Sequence, residues 1–100
     1  MRIKDFLWLD EIVEKIAVKH DVETWEAEEI FTDSPRIRFR QKGNRPGEDV
    51  YTAMGQTDAG RYLFVVFIHK PPSQERPSSQ ALVVSARDME EKEKKQYERK

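Results

Sequence analysis

The sequence predicts an α+β fold: a single small antiparallel sheet with two N-terminal helices and one C-terminal helix packed on it. Helical periodicity is confined to two short segments before residue 34 and one after residue 87. Between them lie four strand-like runs joined by short turns, which favours one antiparallel sheet. One of those runs, Tyr62 to Ile68, is apolar at every position and so belongs in the middle of the sheet. A chain of 100 residues, 37% hydrophobic and 37% charged, has material for one small core, so residues 1–100 read as a single domain.

Residues 2–9 alternate loosely around Phe6, Leu7 and Trp8 and fit a short first strand. Asp10 is placed to cap a helix over 11–19, where Ile12, Ile16 and His20 fall on one stripe. Residues 20–23 break it. Thr24 is the next candidate cap, with Trp25, Ala27, Ile30 and Phe31 on the buried side of a second short helix and Glu26, Glu28 and Glu29 facing water. Those acids sit near the helix's positive end. Asp33-Ser34-Pro35 ends the segment.

Arg36-Ile37-Arg38-Phe39-Arg40 alternates strictly, which predicts a strand with Ile37 and Phe39 inward and three arginines outward. Residues 43–47 form a loop, and 50–55 a strand of mixed character. Thr57-Asp58-Ala59-Gly60 is a hairpin turn in which Gly60 supplies positive φ. The central strand occupies 61–69. Pro71, Pro72 and Pro77 keep 70–79 out of any paired strand, leaving a mobile surface loop. The last strand covers 80–86. Asp88, with Glu91 three residues on, predicts the cap of a final, well-solvated helix.

Composition narrows the chemistry. The absence of cysteine excludes disulfides, thiolate metal sites and cysteine nucleophiles, and two histidines argue against a histidine-rich metal site; no metal and no cofactor is expected. No apolar run approaches bilayer length and no signal peptide is visible, so the expectation is a cytoplasmic protein with no membrane contact. Net charge is −1, but acids outnumber bases in the first third, whereas residues 34–47 hold Arg36, Arg38, Arg40, Lys42 and Arg45 and no acid. A local basic stripe can hold phosphate on a protein of neutral balance.

Five ordered pieces of the chain resemble one family. They are Phe6-Leu7-Trp8-Leu9-Asp10-Glu11; Lys19-His20-Asp21-Val22; Glu26 to Phe31 with Asp33 and Pro35; Gly55-Gln56-Thr57 with Gly60 to Phe67; and Ser85-Ala86-Arg87-Asp88-Met89 with Glu93 and Tyr97. Together they resemble the BrnT toxins of type II toxin–antitoxin systems, which share the RelE-like fold. The resemblance implies a metal-independent ribonuclease that inhibits translation in bacteria. It also implies a partner, a small antitoxin with a ribbon-helix-helix-like DNA-binding domain, and assembly as a homodimer or a toxin–antitoxin hetero-oligomer.

Cleavage of RNA through its 2′-hydroxyl needs a base, cations on the phosphate and a proton for the leaving oxygen. His20 is a candidate base or acid, or else a residue that packs at the end of its helix. Arg87, at a strand-to-helix junction, and Arg61, at the start of the central strand, are candidate catalytic phosphate ligands; the other reading is an ion pair for Arg87. Lys19 and the comb of Arg36, Arg38 and Arg40 are candidate substrate-binding residues. The comb serves equally to dock an acidic partner or to guard a sheet edge. Glu93 is expected to pair with a base, and Tyr97 to pack the last helix on the sheet.

The chain departs from the family at several places: Asp21 stands in its Lys-His-Gly-Val step in place of the glycine, and the loop before Leu82 is enlarged by Pro71 to Pro77. Val50 and Leu82 stand where many members carry arginine, and losing one transition-state cation costs on the order of 10²–10³ in rate. Two readings therefore stay open: an active endoribonuclease, and a relative that has lost catalysis but still binds its antitoxin. Arg45 or Arg76 is the candidate replacement cation. Direct nucleic-acid binding by the comb alone is a third reading.

Overall fold

The run from Tyr62 to Ile68 forms most of the central strand, and the rest of the molecule is arranged about it. The computed structural model describes residues 1–99. In chain order the elements are β1 (Asp5–Leu7), α1 (Asp10–His20), α2 (Thr24–Glu29) ending in a 3₁₀ turn (Ile30–Thr32), β2 (Arg36–Gln41), β3 (Val50–Gln56), β4 (Tyr62–Lys70), β5 (Gln80–Asp88) and α3 (Glu91–Glu98). The strands form one sheet in the order β1-β5-β4-β3-β2. The α+β class and the central place of β4 agree with the sequence.

The sheet is not wholly antiparallel. β1 lies on the far edge from β2 and runs parallel to β5, with Phe6 opposite Ala81 and Leu7 opposite Leu82. Parallel neighbours need a long connection, and everything between β1 and β5 supplies one. The remaining pairs are antiparallel.

Alternation splits β4 between two faces. Leu63, Val65 and Phe67 are fully buried, with Ile16, Val22, Ala27 and Ile30 of the N-terminal helical segment and Ala53, Ala81 and Val83 of the neighbouring strands. Phe6, Phe31, Phe67 and Tyr51 continue this core as a chain of rings with centroids 5.1, 5.4 and 5.9 Å apart. Gly55 admits the 3₁₀ turn: a Cβ there would stand 2.7 Å from the Ile30 Cβ. On the other face Tyr62, Phe64, Val66 and Ile68 are only half-buried, and α3 covers just one end, with Tyr97 against Tyr62 at 6.0 Å.

Several local expectations change. Asp10 is the first residue of α1, not its cap; Leu9 takes that place, and Asp10 and Glu11 act on the helix dipole instead. Glu23, not Thr24, caps α2, in a reciprocal box with Glu26. Glu90, not Asp88, caps α3, boxed with Glu93, because β5 keeps pairing as far as Asp88, opposite Leu63. Trp25 is 59% exposed, while Glu26, Glu28 and Glu29 turn inward to the Arg61 guanidinium, the Trp8 Nε1–H and the Asp58 N–H. Three bonded acids thus set the rotation of a six-residue helix, and Trp25 faces out. Phe39 is 56% exposed because β2 is an edge strand at the margin of the helical layer; Ile37 does pack on the core.

Candidate functional site

Three of the residues singled out in the sequence, His20, Arg61 and Arg87, lie at the end of the sheet where β4 begins, but they do not converge. Arg61 lies on the side of α1 and α2. Its Nε and Nη2 donate to the Asp88 carboxylate at 2.7 and 3.2 Å, and its Nη1 donates to Glu26 at 3.1 Å. Nη1 also donates to the Asp21 carbonyl at 2.6 Å, and Nη2 to that of His20 at 3.0 Å. Every nitrogen of the guanidinium is engaged, and the residue staples the α1–α2 corner to the end of β5. Its pKa is driven further up by the Asp88 bond, and Asp88 is held below the ordinary carboxylate range by the same bond and, to a lesser degree, by the charges of Arg61, His20 and Lys94.

His20 closes α1 half-buried beside this cluster. The next residue, Asp21, takes the left-handed C-cap with φ 54° and ψ 40°. This is the step where the family resemblance sets a glycine, the residue that adopts this conformation most easily.

Arg87 precedes Asp88 and therefore points to the opposite face. It stands opposite Phe64, with its guanidinium 4.3 Å from that ring's centroid. Nη1 and Nη2 each donate to a Glu93 carboxylate oxygen at 2.8 Å, a bidentate pair that raises the pKa of Arg87 and lowers that of Glu93. The expected pairing of Glu93 with a base is therefore present. It joins the strand-to-helix junction to the first turn of α3.

The arginine comb is irregular. Arg36 donates to the Gln96 carbonyl at 3.1 Å and the Arg99 carbonyl at 2.6 Å, tying down the C-terminal end of α3. Arg38 is exposed beside Thr52. Arg40 falls in the register shift between Phe39 and Gln41 and leaves the alternation. Lys19 is exposed on α1, which rests on β5, three strands from β2. The candidate catalytic set is thus divided by the sheet, with His20 and Arg61 on one side and Arg87 on the other, and the candidate substrate-binding set is spread across its width.

The far end of the open face has a different character. Val50 pairs with Ile68, Ile68 with Leu82, and Leu82 with Leu7, so one half-buried apolar row crosses four strands. Val50 and Leu82 flank a single strand, their Cα atoms about 9–10 Å apart. Beside Val50 and Ile68 the β2–β3 loop borders an open depression of about 240 Å³, lined also by Lys42, Asn44, Arg45 and Glu48. Glu48 is bonded to Lys70 at 2.8 Å and held below its ordinary pKa first by that bond. Arg76, one of the two candidate replacement cations, is turned to the Gln80 side chain at 2.6 Å, while Arg45 lines the depression. Among the described residues no group of three or more His, Asp or Glu side chains is disposed to hold a metal ion, and no helix is long and apolar enough to cross a membrane.

Residues 8–93 match the family described as ribonuclease toxin, BrnT, of type II toxin–antitoxin systems. The chain belongs to that family. No curated protein matches it significantly. Membership in the BrnT family brings with it an antitoxin protein as partner. Within this BrnT-family chain the Arg61 partners Glu26 and Asp88 could not be found from local pattern, because each is set by tertiary contact; the pairing of Glu93 with a base is legible in the sequence, but the identity of that base is not. The loop at 43–47 is visible in the sequence, but not the depression beside it.

Proposed function

We propose that the chain is a ribonuclease toxin, cleaving RNA and thereby inhibiting translation in the cytoplasm, and that a small antitoxin with a ribbon-helix-helix-like DNA-binding domain neutralises it. The family match over residues 8–93 carries this reading. Attack by the substrate's own 2′-hydroxyl makes the reaction metal-independent, since no metal-bound water is required as nucleophile. A RelE-like fold belongs to the same reading and is consistent with a sheet clad by helices on both faces. Arg87 is the cation to test. It borders the open face, and an RNA phosphate would take the place of the Glu93 carboxylate on its fork. Arg61 we assign to positioning, because its donors are already spent on four partners. Purified protein should cut RNA in the presence of a chelator and arrest growth when induced, and Arg87→Ala should cost on the order of 10²–10³ in rate. If wild type and variant are equally inert, the chain is not an active enzyme.

The apolar row Leu7–Leu82–Ile68–Val50 favours a second reading, a toxin relative that keeps antitoxin binding and has lost catalysis. Val50→Arg with Leu82→Arg would set two guanidinium groups on either side of Ile68. A gain of cleavage by that double variant, from an inactive parent, is the outcome this reading requires.

A further inference from the structure

We propose that the β2–β3 loop holds a subsite for one nucleotide of single-stranded RNA, with Lys42 and Arg45 on its phosphate and its base lying over Val50 and Ile68. The proposal rests on the reading of RNA as substrate but adds a site away from the arginines of the family motifs. Four observations carry it.

The loop is built, not loose. Gly43 passes so close to the Glu48 carbonyl that a Cβ would overlap it at 1.7 Å. The Gly43 N–H donates to Asp49 Oδ1 at 3.2 Å, and the Glu48 N–H to the Arg45 carbonyl at 3.0 Å. Lys42 and Arg45 are therefore presented from a fixed turn. Second, among the described residues neither forms an ion pair, whereas Arg61 and Arg87 do. Of the two acids beside Lys42 and Arg45, Glu48 is paired with Lys70 and Asp49 accepts the Gly43 N–H, so neither is ion-paired to these cations. Third, the floor is a pair of branched aliphatic side chains on neighbouring strands, Val50 opposite Ile68. Fourth, the depression of about 240 Å³ beside this floor is open to solvent, so a strand can lay one nucleotide in it while its chain continues on either side.

A carboxylate side chain from a protein partner would satisfy the cations but leave the apolar floor uncovered. A nucleotide supplies both a phosphate for the fork of Arg45 and a flat apolar face for Val50 and Ile68.

The test is binding of a fluorescein-labelled 2′-O-methyl oligouridylate hexamer, which lacks the nucleophile and cannot be cut, followed by anisotropy across a salt series. Lys42→Ala/Arg45→Ala should weaken binding about tenfold and flatten the slope of log K against log salt by about 0.7 for each phosphate that the variant leaves unneutralised. Lys92→Ala/Lys95→Ala, which removes the same charge from the exposed side of α3, should leave affinity within about twofold, since a rim charge far from the bound strand adds little; circular dichroism and melting verify that both variants fold. Val50→Asp, tested alone, should weaken binding through the floor with both cations in place. No binding by wild type, equal losses in the two double variants, or competition by poly-glutamate at equal charge concentration would each overturn the proposal, the last by showing an acidic-protein surface. Loss confined to Lys42→Ala/Arg45→Ala together with no cleavage of ordinary RNA would uphold the subsite and remove the ribonuclease reading.

Discussion

The two ends of the sheet use cations in opposite ways. Where β4 begins, Arg36, Arg61 and Arg87 are bonded to carboxylates and helix-end carbonyls and hold α1, α2 and α3 in place. Where β4 ends, about 20 Å away along the strand, Lys42 and Arg45 stand beside Val50 and Ile68 without ion pairs among the described residues. An arginine in a family motif is thus not by itself a substrate ligand. At the first end the arginines are bonded within the fold, Arg87 by a fork that an RNA phosphate would have to displace; at the second Lys70 is spent on Glu48, while Lys42 and Arg45 form no ion pair among the described residues.

Arg61→Ala is the largest lever on this contrast. Removing the guanidinium leaves Glu26, only 15% exposed, without its counter-ion and the His20 and Asp21 carbonyls without a donor. Breaking a wholly buried pair costs about 3–5 kcal/mol; allowing for the exposure of Asp88, the expected loss is about 2–4 kcal/mol in urea denaturation. Lys42→Ala/Arg45→Ala should change stability by less than about 0.5 kcal/mol. Comparable losses at both ends would erase the distinction.

Acid should act on the first end through Asp88 and Glu93. Both carboxyls are held below their ordinary values, first by the bonds from Arg61 and Arg87 respectively. A depressed carboxyl contributes stability that is fully present above its unfolded value, 4.5 for a glutamate and 3.8 for an aspartate, and that is lost as pH falls through the lower folded value. Stability should therefore decline below about pH 4.5. Glu93→Gln should lose about 1–2 kcal/mol at about pH 7 and show a shallower acid limb, since the charge-assisted fork to Arg87 is already gone. An unchanged acid limb would mean that the fork is not maintained in solution.

Arg36→Ala addresses the same helix from its other end with a smaller effect. Its bonds to the Gln96 and Arg99 carbonyls are exposed, so the global cost should stay near about 0.5–1 kcal/mol. Amide hydrogens of α3 should exchange faster, while those of β4 keep their protection.

Much of this architecture is legible in the sequence. The doubly apolar β4, the turn at Gly60 and the charged last helix follow from periods of two and 3.6 and from turn chemistry, all local properties. The direction of β1 does not follow, because a three-residue strand carries no sign of its partner. Helix starts shift because Glu23 and Glu90, not residues typical of caps, form boxes with Glu26 and Glu93. Hydrophobicity alone places Trp25 and Phe39 inside, but a two-turn helix and an edge strand are oriented by their neighbours. Motifs group Arg61 with Arg87, and only the register, Leu63 opposite Asp88 and Phe64 opposite Arg87, shows that the sheet divides them.

The smallest effect concerns Asp21, whose carbonyl is one of the Arg61 acceptors. Its φ of 54° is tolerated by aspartate but unfavourable for any residue with a Cβ. Its backbone N–H still closes α1 by donating to the Ala17 carbonyl at 3.1 Å, a bond that glycine would keep. Asp21→Gly relieves the left-handed strain and gives back part of the gain through the greater freedom of glycine in the unfolded chain. The net expectation is stabilisation of about 0.5–1 kcal/mol, read as a rise in melting temperature of a few degrees. The same substitution in the Arg61→Ala background should gain about as much, because the strain resides in the backbone and not in the staple. A gain that disappears with Arg61 would show instead that the guanidinium holds Asp21 in its left-handed conformation.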